Sequence, residues 1–173
     1  VNGPVDFHAM AVSPVNPNLI YGWFQGNLQR STDQGKTWEI VNRELLPVYL
    51  AADSQDENVA YAATPQGQGV MISRDKGATW TSLSKELEGG AISVIAIHSQ
   101  DSKILLTFSE KLGGLGKSID GGTTWKKVPE GFGGETILHI AFSRSTPSIV
   151  YVLTHENKLY KSSDTGDTWT QIR

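Results

Sequence analysis

Four short stretches of this chain place a serine, an aspartate, a glycine, a threonine and a tryptophan at fixed intervals. One of them reads SIDGGTTW and spans residues 118–125. Taken alone, its carboxylate and its glycines are groups that a calcium loop or a phosphate-binding loop would use. A calcium loop of the EF-hand type also needs a distant bidentate glutamate, and a P-loop needs Gly-Lys-Ser/Thr before a helix. The four stretches share neither feature, so their common chemistry favours a structural turn.

The stretch recurs at a nearly constant spacing, which marks it as part of a repeat. All four copies follow S-x-D-x-G-x-T-W, and their aspartates lie 42, 45 and 44 positions apart. A catalytic residue is needed once, whereas a turn that defines a fold is needed in every repeat. The residues to which we assign this structural role are Ser31, Asp33, Gly35, Thr37, Trp38, Ser73, Asp75, Gly77, Thr79, Trp80, Ser118, Asp120, Gly122, Thr124, Trp125, Ser162, Asp164, Gly166, Thr168 and Trp169.

Each residue type in this stretch has a physical reason to be there. The aspartate is expected to accept backbone N–H bonds from the residues after it. The glycine supplies a positive φ angle, and the β-branched threonine is expected to begin the next strand. The tryptophan is expected to bury its ring against a neighbouring sheet while its indole N–H finds an acceptor.

The apolar pattern within each repeat alternates as it does in short strands. In the first repeat we predict strands near 8–12, 19–24, 27–31 and 37–41, with the repeated stretch between the last two. Four strands in about 43 residues are typical of a β-propeller blade. We therefore predict an all-β propeller of four blades with four antiparallel strands each. The predicted blades span approximately 5–43, 44–88, 89–130 and 131–173.

Composition excludes several classes of function. The formal net charge of −3 argues against a protein that binds nucleic acid through a basic face. The chain has no run of about 20 apolar residues, so we expect no membrane insertion. It also has no cysteine, which excludes a disulfide framework and a cysteine nucleophile. No spacing of residues indicates a metal site or a dinucleotide-binding loop, and we expect no cofactor. The chain begins with Val1, so either a leader was removed or this is a piece of a longer chain.

S-x-D-x-G-x-T-W is the Asp-box, or BNR repeat, and all four copies match it fully. The segments VDFHAMAVSP (5–14) and NPNLIYG (16–22) resemble bacterial glycosyl-hydrolase-like BNR-repeat proteins. Related Asp-box propellers include sialidases, xyloglucan-degrading glucanases and sortilin-type receptors. The resemblance implies that the boxes lie at the blade periphery, on the face away from the ligand site. The Arg-Ile-Pro motif that a sialidase needs is absent, and the five arginines of this chain are not placed so that three of them could form the sialidase clamp.

The resemblance directs the search for a site to the opposite face, which we call the mouth. There the starts of the first strands meet the loops between blades and between second and third strands. The predicted ligand-binding residues are Asp6, His8, Tyr49, His139 and His155. We assign no catalytic residue, and the carboxylates that would serve in hydrolysis are Asp6, Glu110 and Glu135.

These observations favour a non-catalytic recognition or scaffold module that binds a protein or a glycan through the mouth. The alternative is a glycoside hydrolase, or a fragment of one, that uses the mouth carboxylates. Assembly also stays open. The four blades either close alone, pair with a second copy as a homodimer, or need further blades of a longer chain, and the last two are favoured. An extracellular or cell-envelope location is expected.

Overall fold

A computed structural model of the chain describes residues 6–65, 67–129 and 131–173. These residues form four antiparallel sheets, each of four strands in the order of the chain. We call the sheets blades 1 to 4. Blade 1 contains β1 (Ala9–Val12), β2 (Ile20–Phe24), β3 (Asn27–Ser31) and β4 (Glu39–Asn42), and blade 2 contains β5 (Tyr49–Ala52), β6 (Ala60–Ala63), β7 (Val70–Ser73) and β8 (Thr81–Ser82). Blade 3 contains β9 (Ile92–Ile97), β10 (Leu105–Ser109), β11 (Gly114–Ser118) and β12 (Lys126–Lys127), and blade 4 contains β13 (Ile137–Phe142), β14 (Val150–Thr154), β15 (Leu159–Ser162) and β16 (Thr170–Gln171).

The predicted all-β propeller fold is confirmed. The main local difference concerns the fourth strands, which begin after the box tryptophan and not at the box threonine. In blade 1, for example, the strand predicted at 37–41 runs from Glu39 to Asn42. The described residues contain no helix that could span a lipid bilayer. The blade boundaries stay a prediction, and the boundary residues 5 and 130 lie outside the described residues.

The antiparallel connections sort the loops of every blade onto two faces. The turn from first to second strand and the box turn share one end of the sheet, because both follow an odd-numbered strand. The turn from second to third strand and the link to the next blade share the other end, which is the mouth. The Asp-boxes and the mouth loops therefore lie at opposite ends of each blade.

The blades are arranged side by side through their first strands. Strand β1 packs on β5, β5 on β9 and β9 on β13. Hydroxyl groups link neighbouring blades, since Ser54 Oγ donates to the His98 carbonyl at 2.7 Å and Ser99 Oγ to the Ser143 carbonyl at 2.9 Å. Each of the three junctions encloses an apolar core. Within the described residues no corresponding core joins blade 4 to blade 1, so the four blades form an open arc.

The open arc exposes an apolar face on blade 1. Met10 and Val12, on its first strand, are 57% and 48% exposed. The residues at the position of Met10 in the other blades are Leu50, Ile95 and Ile140, and these are at most 5% exposed because a preceding blade covers them. We call the surface formed by Met10, Val12 and Ile40 the leading face of blade 1.

Candidate functional site

The four Asp-boxes are built from one repeated set of hydrogen bonds. In the third box the Ser118 hydroxyl donates to Asp120 Oδ1 at 2.8 Å and accepts from the Gly122 nitrogen at 2.9 Å. The Thr124 nitrogen and hydroxyl donate to the two carboxylate oxygens of Asp120, and Trp125 Nε1 donates to the Gly122 carbonyl at 3.0 Å. The other three boxes repeat these five bonds. The threonine is therefore a hydrogen-bond donor within the turn, and the strand begins two residues later.

These bonds occupy both oxygens of each box carboxylate. Hydrogen bonds from Thr124 and then from Ser118 lower the pKa of Asp120 from 3.8 to about 2, and the pKa of Asp33 falls to about 2 for the same reasons. Hydrogen bonds from Thr168 and Ser162 lower the pKa of Asp164 as well. Each box carboxylate therefore accepts at least three hydrogen bonds from its own turn, which leaves little capacity for a ligand.

The backbone of each box turns twice through the left-handed region. The box glycines have φ angles between 84° and 90°. The residue before the glycine also has a positive φ, with values of 64° at Gln34, 57° at Lys76, 75° at Gly121 and 63° at Thr165. Three of these four residues carry a Cβ atom, so the turn holds a conformation that such residues rarely adopt.

The boxes also join one blade to the next. The box glycine Gly77 lies against the ring of Tyr21 in blade 1, and Gly166 lies against Leu106 in blade 3. Arg30 donates to the Lys76 carbonyl at 2.9 Å, while Lys117 pairs with Asp167 at 2.7 Å. The boxes of blades 2 and 4 thus contact the preceding blade.

The mouth contains a cavity of about 910 Å³ where the loops of blades 2, 3 and 4 converge. Its walls are largely apolar and include aromatic rings, and its polar side chains are few. The residues that line it are Val48, Tyr49, Pro65, Ala91, Ile92, Ser93, Phe108, Glu110, Gly113, Gly114, Leu115, Val128, Phe132, Gly134, Glu135, Thr136, Leu138 and His139. We call it the mouth cavity.

Tyr49 and His139 face each other across part of this cavity. Tyr49 is the first residue of β5, and His139 follows an irregularity in the pairing of β13 with β14. The two ring centroids lie 6.1 Å apart at an interplanar angle of 58°. Burial raises the pKa of the Tyr49 hydroxyl, so this group stays protonated and available as a donor near neutral pH.

Two of the predicted carboxylates line the same cavity in different states. Glu110 is exposed, and its Oε2 atom accepts from the Ala91 nitrogen at 3.3 Å. The Glu135 side chain is 7% exposed and forms an ion pair with Lys158 through Oε1. The Lys158 ammonium holds the pKa of Glu135 below its ordinary value of 4.5. Lys158 was not predicted from the sequence, because it lies 23 positions from its partner and no local motif joins them.

The remaining predicted ligand-binding residues lie outside the lining of the mouth cavity. His8 is exposed in blade 1 and packs near Trp23, with the ring centroids 5.8 Å apart. Asp6 and His155 are also exposed. Their roles in binding stay predictions. Within the described ranges no three His, Cys, Asp or Glu side chains cluster in a way that would hold a metal ion.

Four meandering sheets with an S-x-D-x-G-x-T-W turn in each give this chain the fold and the repeated turn of Asp-box (BNR-repeat) β-propellers. The profile of the BNR/Asp-box repeat family matches residues 29–39, and that of the Sortilin-Vps10 family (sortilin, neurotensin receptor 3) matches residues 113–173. Within the propeller class, the chain resembles glycosyl-hydrolase-like members.

Curated relatives of this chain include xyloglucanases, which are glycoside hydrolases. Xyloglucanase Xgh74A of Acetivibrio thermocellus is 28% identical over 166 residues, covering 70% of this chain and 19% of that enzyme. A xyloglucanase of Hypocrea jecorina is 27% identical over 167 residues, covering 95% of this chain and 19% of the relative. The crystal structure of a GH74 enzyme from Niastella koreensis has a TM-score of 0.76 at 22% identity and covers 96% of this chain and 30% of that chain. The chain spans about a fifth of the length of these curated relatives.

Proposed function

We propose that this chain is a glycan-binding propeller module that holds a polysaccharide related to xyloglucan in the mouth cavity and does not cleave it. The observation that carries the proposal is the composition of that cavity, in which Tyr49, Phe108 and Leu138 provide apolar surface beside a few polar groups. A sugar ring has flat apolar faces and a rim of hydroxyl groups, and a cavity of this kind complements both. The similarity to xyloglucanases supports a polysaccharide over a protein as the ligand.

The cavity has the size and the rigid walls that binding requires. A volume of about 910 Å³ is at the upper end of the usual range for small-molecule sites and accommodates a few sugar units. Tyr49 packs against the cores between blades 2 and 3 and between blades 3 and 4, so its ring is held in place before a ligand arrives. Such preorganisation reduces the entropy that binding would otherwise cost.

The test is isothermal titration of the chain with xyloglucan oligosaccharides. Replacing Tyr49 by alanine is expected to weaken binding by about tenfold or more, because it removes an aromatic wall of the cavity. Tyr151→Ala is the matched control, since Tyr151 is a half-buried tyrosine of blade 4 that does not line the cavity. Absence of binding by the wild type, or equal affinities of Tyr49→Ala and wild type, would contradict the proposal.

Hydrolysis is the second candidate function, and one observation favours it. Glu110 and Glu135 both line the mouth cavity, and a pair of carboxylates across a cleft is the arrangement that glycoside hydrolysis uses. The test is release of reducing sugar from xyloglucan by wild type, Glu110→Gln, Glu135→Gln and Asp6→Asn. Turnover by the wild type that disappears in one variant would exclude a purely binding role.

We further propose that another Asp-box blade covers the leading face of blade 1, and that a second copy supplies it when the 173-residue chain is alone. Met10 is exposed at a position that is buried in the other three blades, and this exposure supports the assembly. Contact between the leading face of one copy and blade 4 of the other would close an eight-bladed ring with twofold symmetry. We also infer that the chain acts outside the cell or in the cell envelope, where polysaccharide is encountered.

A further inference from the structure

We propose that Glu135 orients the bound glycan by accepting a hydrogen bond from one of its hydroxyl groups through Oε2. This inference rests on the proposed function and goes beyond it, because it assigns a recognition role to a residue that otherwise has the chemistry of a catalytic carboxylate. Three features of Glu135 support it: an unused buried acceptor, a fixed charge and a rigid loop.

The first feature is the unused acceptor. Glu135 lines the mouth cavity, and its side chain is 7% exposed. Its Oε2 atom is buried and accepts no well-aligned hydrogen bond from the described residues, although the Thr154 hydroxyl lies close enough to the carboxylate to help lower its pKa. A buried carboxylate oxygen without a partner is costly, and a ligand that supplies a donor removes that cost. In the described part of the chain, Tyr21 Oη is the other buried side-chain atom of this kind, and it lies in the core between blades 1 and 2.

The second feature is the fixed charge. Glu135 Oε1 pairs with Lys158, whose ammonium also lies 3.0 Å from Glu156 Oε2. The lysine stabilises the ionised carboxylate and lowers its pKa. An ionised carboxylate only accepts hydrogen bonds, so Glu135 suits recognition of a hydroxyl group and not donation of a proton to a leaving group.

The third feature is the loop that presents Glu135. Gly133 and Gly134 have φ angles of 62° and 79°, and the Glu135 nitrogen donates to the Phe132 carbonyl at 3.1 Å. The ring of Phe132 is buried against Tyr160 and Trp169, with centroid distances of 4.9 and 5.3 Å. This turn is therefore anchored in the core of blade 4, and the carboxylate is held in place before the ligand binds.

The cavity walls indicate which donor fits. Tyr49, Phe108 and Leu138 surround the site with apolar surface, which suits a group attached to a flat, uncharged ring. A hydroxyl group of a sugar is such a donor, and a charged carboxylate that accepts from it forms a strong hydrogen bond. An orientation fixed at one hydroxyl would distinguish sugars that differ at a single carbon.

The experiment compares wild type, Glu135→Gln and Glu156→Gln by titration with a xyloglucan oligosaccharide. Glu135→Gln is expected to lower the affinity by about 10- to 100-fold, as for loss of a hydrogen bond to a charged group. Glu156→Gln also removes a negative charge that pairs with Lys158, but Glu156 does not line the cavity. The affinity of this variant for the oligosaccharide is therefore expected to stay within about twofold of wild type. Melting temperatures of the three proteins show whether each is folded.

A series of monodeoxy oligosaccharides provides a second measurement that does not depend on the stability of a variant. One deoxy sugar is expected to bind wild type as weakly as the intact sugar binds Glu135→Gln, with no further loss when both changes are combined. Equal affinities of the two glutamine variants for the intact sugar, or additive losses for every deoxy sugar, would overturn the role of Glu135. Absence of any glycan binding by wild type would instead overturn the proposed function itself.

Discussion

The Thr124 hydroxyl lies 2.7 Å from Asp120 Oδ2, and the backbone nitrogen of the same threonine lies 3.0 Å from Oδ1. One residue thus satisfies both oxygens of the aspartate four positions before it. The remaining acceptor capacity of Oδ1 is used by Ser118. Because the same pair is bonded in all four boxes, the aspartate closes a turn in every blade.

Replacing Asp120 by alanine is therefore expected to lower the melting temperature and to leave glycan affinity unchanged. The substitution removes the acceptor for two donors of Thr124 and one of Ser118, while the mouth cavity lies at the opposite end of the blade. Calorimetric melting and oligosaccharide titration on one preparation measure both effects. Asp101→Ala is a suitable control, because Asp101 is an exposed aspartate outside the boxes whose carboxylate accepts one backbone hydrogen bond, from Lys103, and does not line the mouth cavity. An unchanged melting temperature with abolished binding would show that our interpretation of the box is wrong.

The box carboxylates also predict how stability depends on pH. Asp33 and Asp120 have a pKa of about 2 in the folded protein and an ordinary value of 3.8. Since the folded-state pKa is the lower one, their contribution to the free energy of unfolding is complete above about pH 4 and is lost as pH falls towards 2. Denaturant unfolding across this interval should show a steep decline in wild type and a shallower one in Asp120→Asn. Equal slopes would contradict the assignment.

The four box tryptophans should differ in their contribution to stability. Trp125 is 7% exposed in the core between blades 2 and 3, and its replacement by alanine is expected to cost about 3–5 kcal/mol. Trp38 lies in blade 1, has no preceding blade within one copy and packs against Phe7 at a centroid distance of 4.6 Å. In the monomeric chain, Trp38→Ala is therefore expected to cost clearly less. Denaturant titration of the two variants in the Met10→Glu background, which is expected to be monomeric, measures the difference, and equal costs would contradict the open arc.

The leading face of blade 1 predicts self-association that a single charge would disrupt. Wild type is expected to have a molar mass near twice 18.8 kDa by light scattering, and Met10→Glu a mass near 18.8 kDa. The glutamate would have to be buried against the second copy without a partner, which disfavours the contact. Ile119→Glu is the control, because Ile119 is 67% exposed and lies in a box turn outside the leading face. A monomeric wild type would contradict the proposed pairing.

Much of the fold was predictable because the box fixes the register of every blade. The third strand predicted at 27–31 has those bounds in the structure, since it ends at the box serine. The fourth strands were predicted too early, because β-branched and aromatic residues resemble a strand start even where their side chains close a turn. Sequence pattern alone did not reveal that Thr37 donates to Asp33.

The site was less predictable, because it depends on loops that meet in space. Tyr49 and His139 follow from the position of first-strand starts, and both line the mouth cavity. His8 has the same type of position, yet blade 1 stands at the open end of the arc, away from the cavity between blades 2 and 4. A phenylalanine flanked by glycines can be exposed or buried, and the structure buries Phe132 at 5% exposure. Burial of this ring determines where Glu135 lies, and no spacing of residues in the sequence predicts that burial.

The residue before each box glycine differs among the four boxes, so the chain itself compares several residue types at one backbone position. The same turn, with the same hydrogen bonds, occurs with Gln34, Lys76, Gly121 and Thr165 at one position of positive φ. For a residue with a Cβ atom this conformation costs about 1 kcal/mol, and for glycine it costs almost nothing. Three boxes therefore carry a conformational cost that the third box, with Gly121, avoids. The four turns thus contribute unequally to the stability of their blades, although their hydrogen bonds are the same. Placing glycine at another of these positions would lower the conformational cost of that turn, and it would change which blade unfolds first.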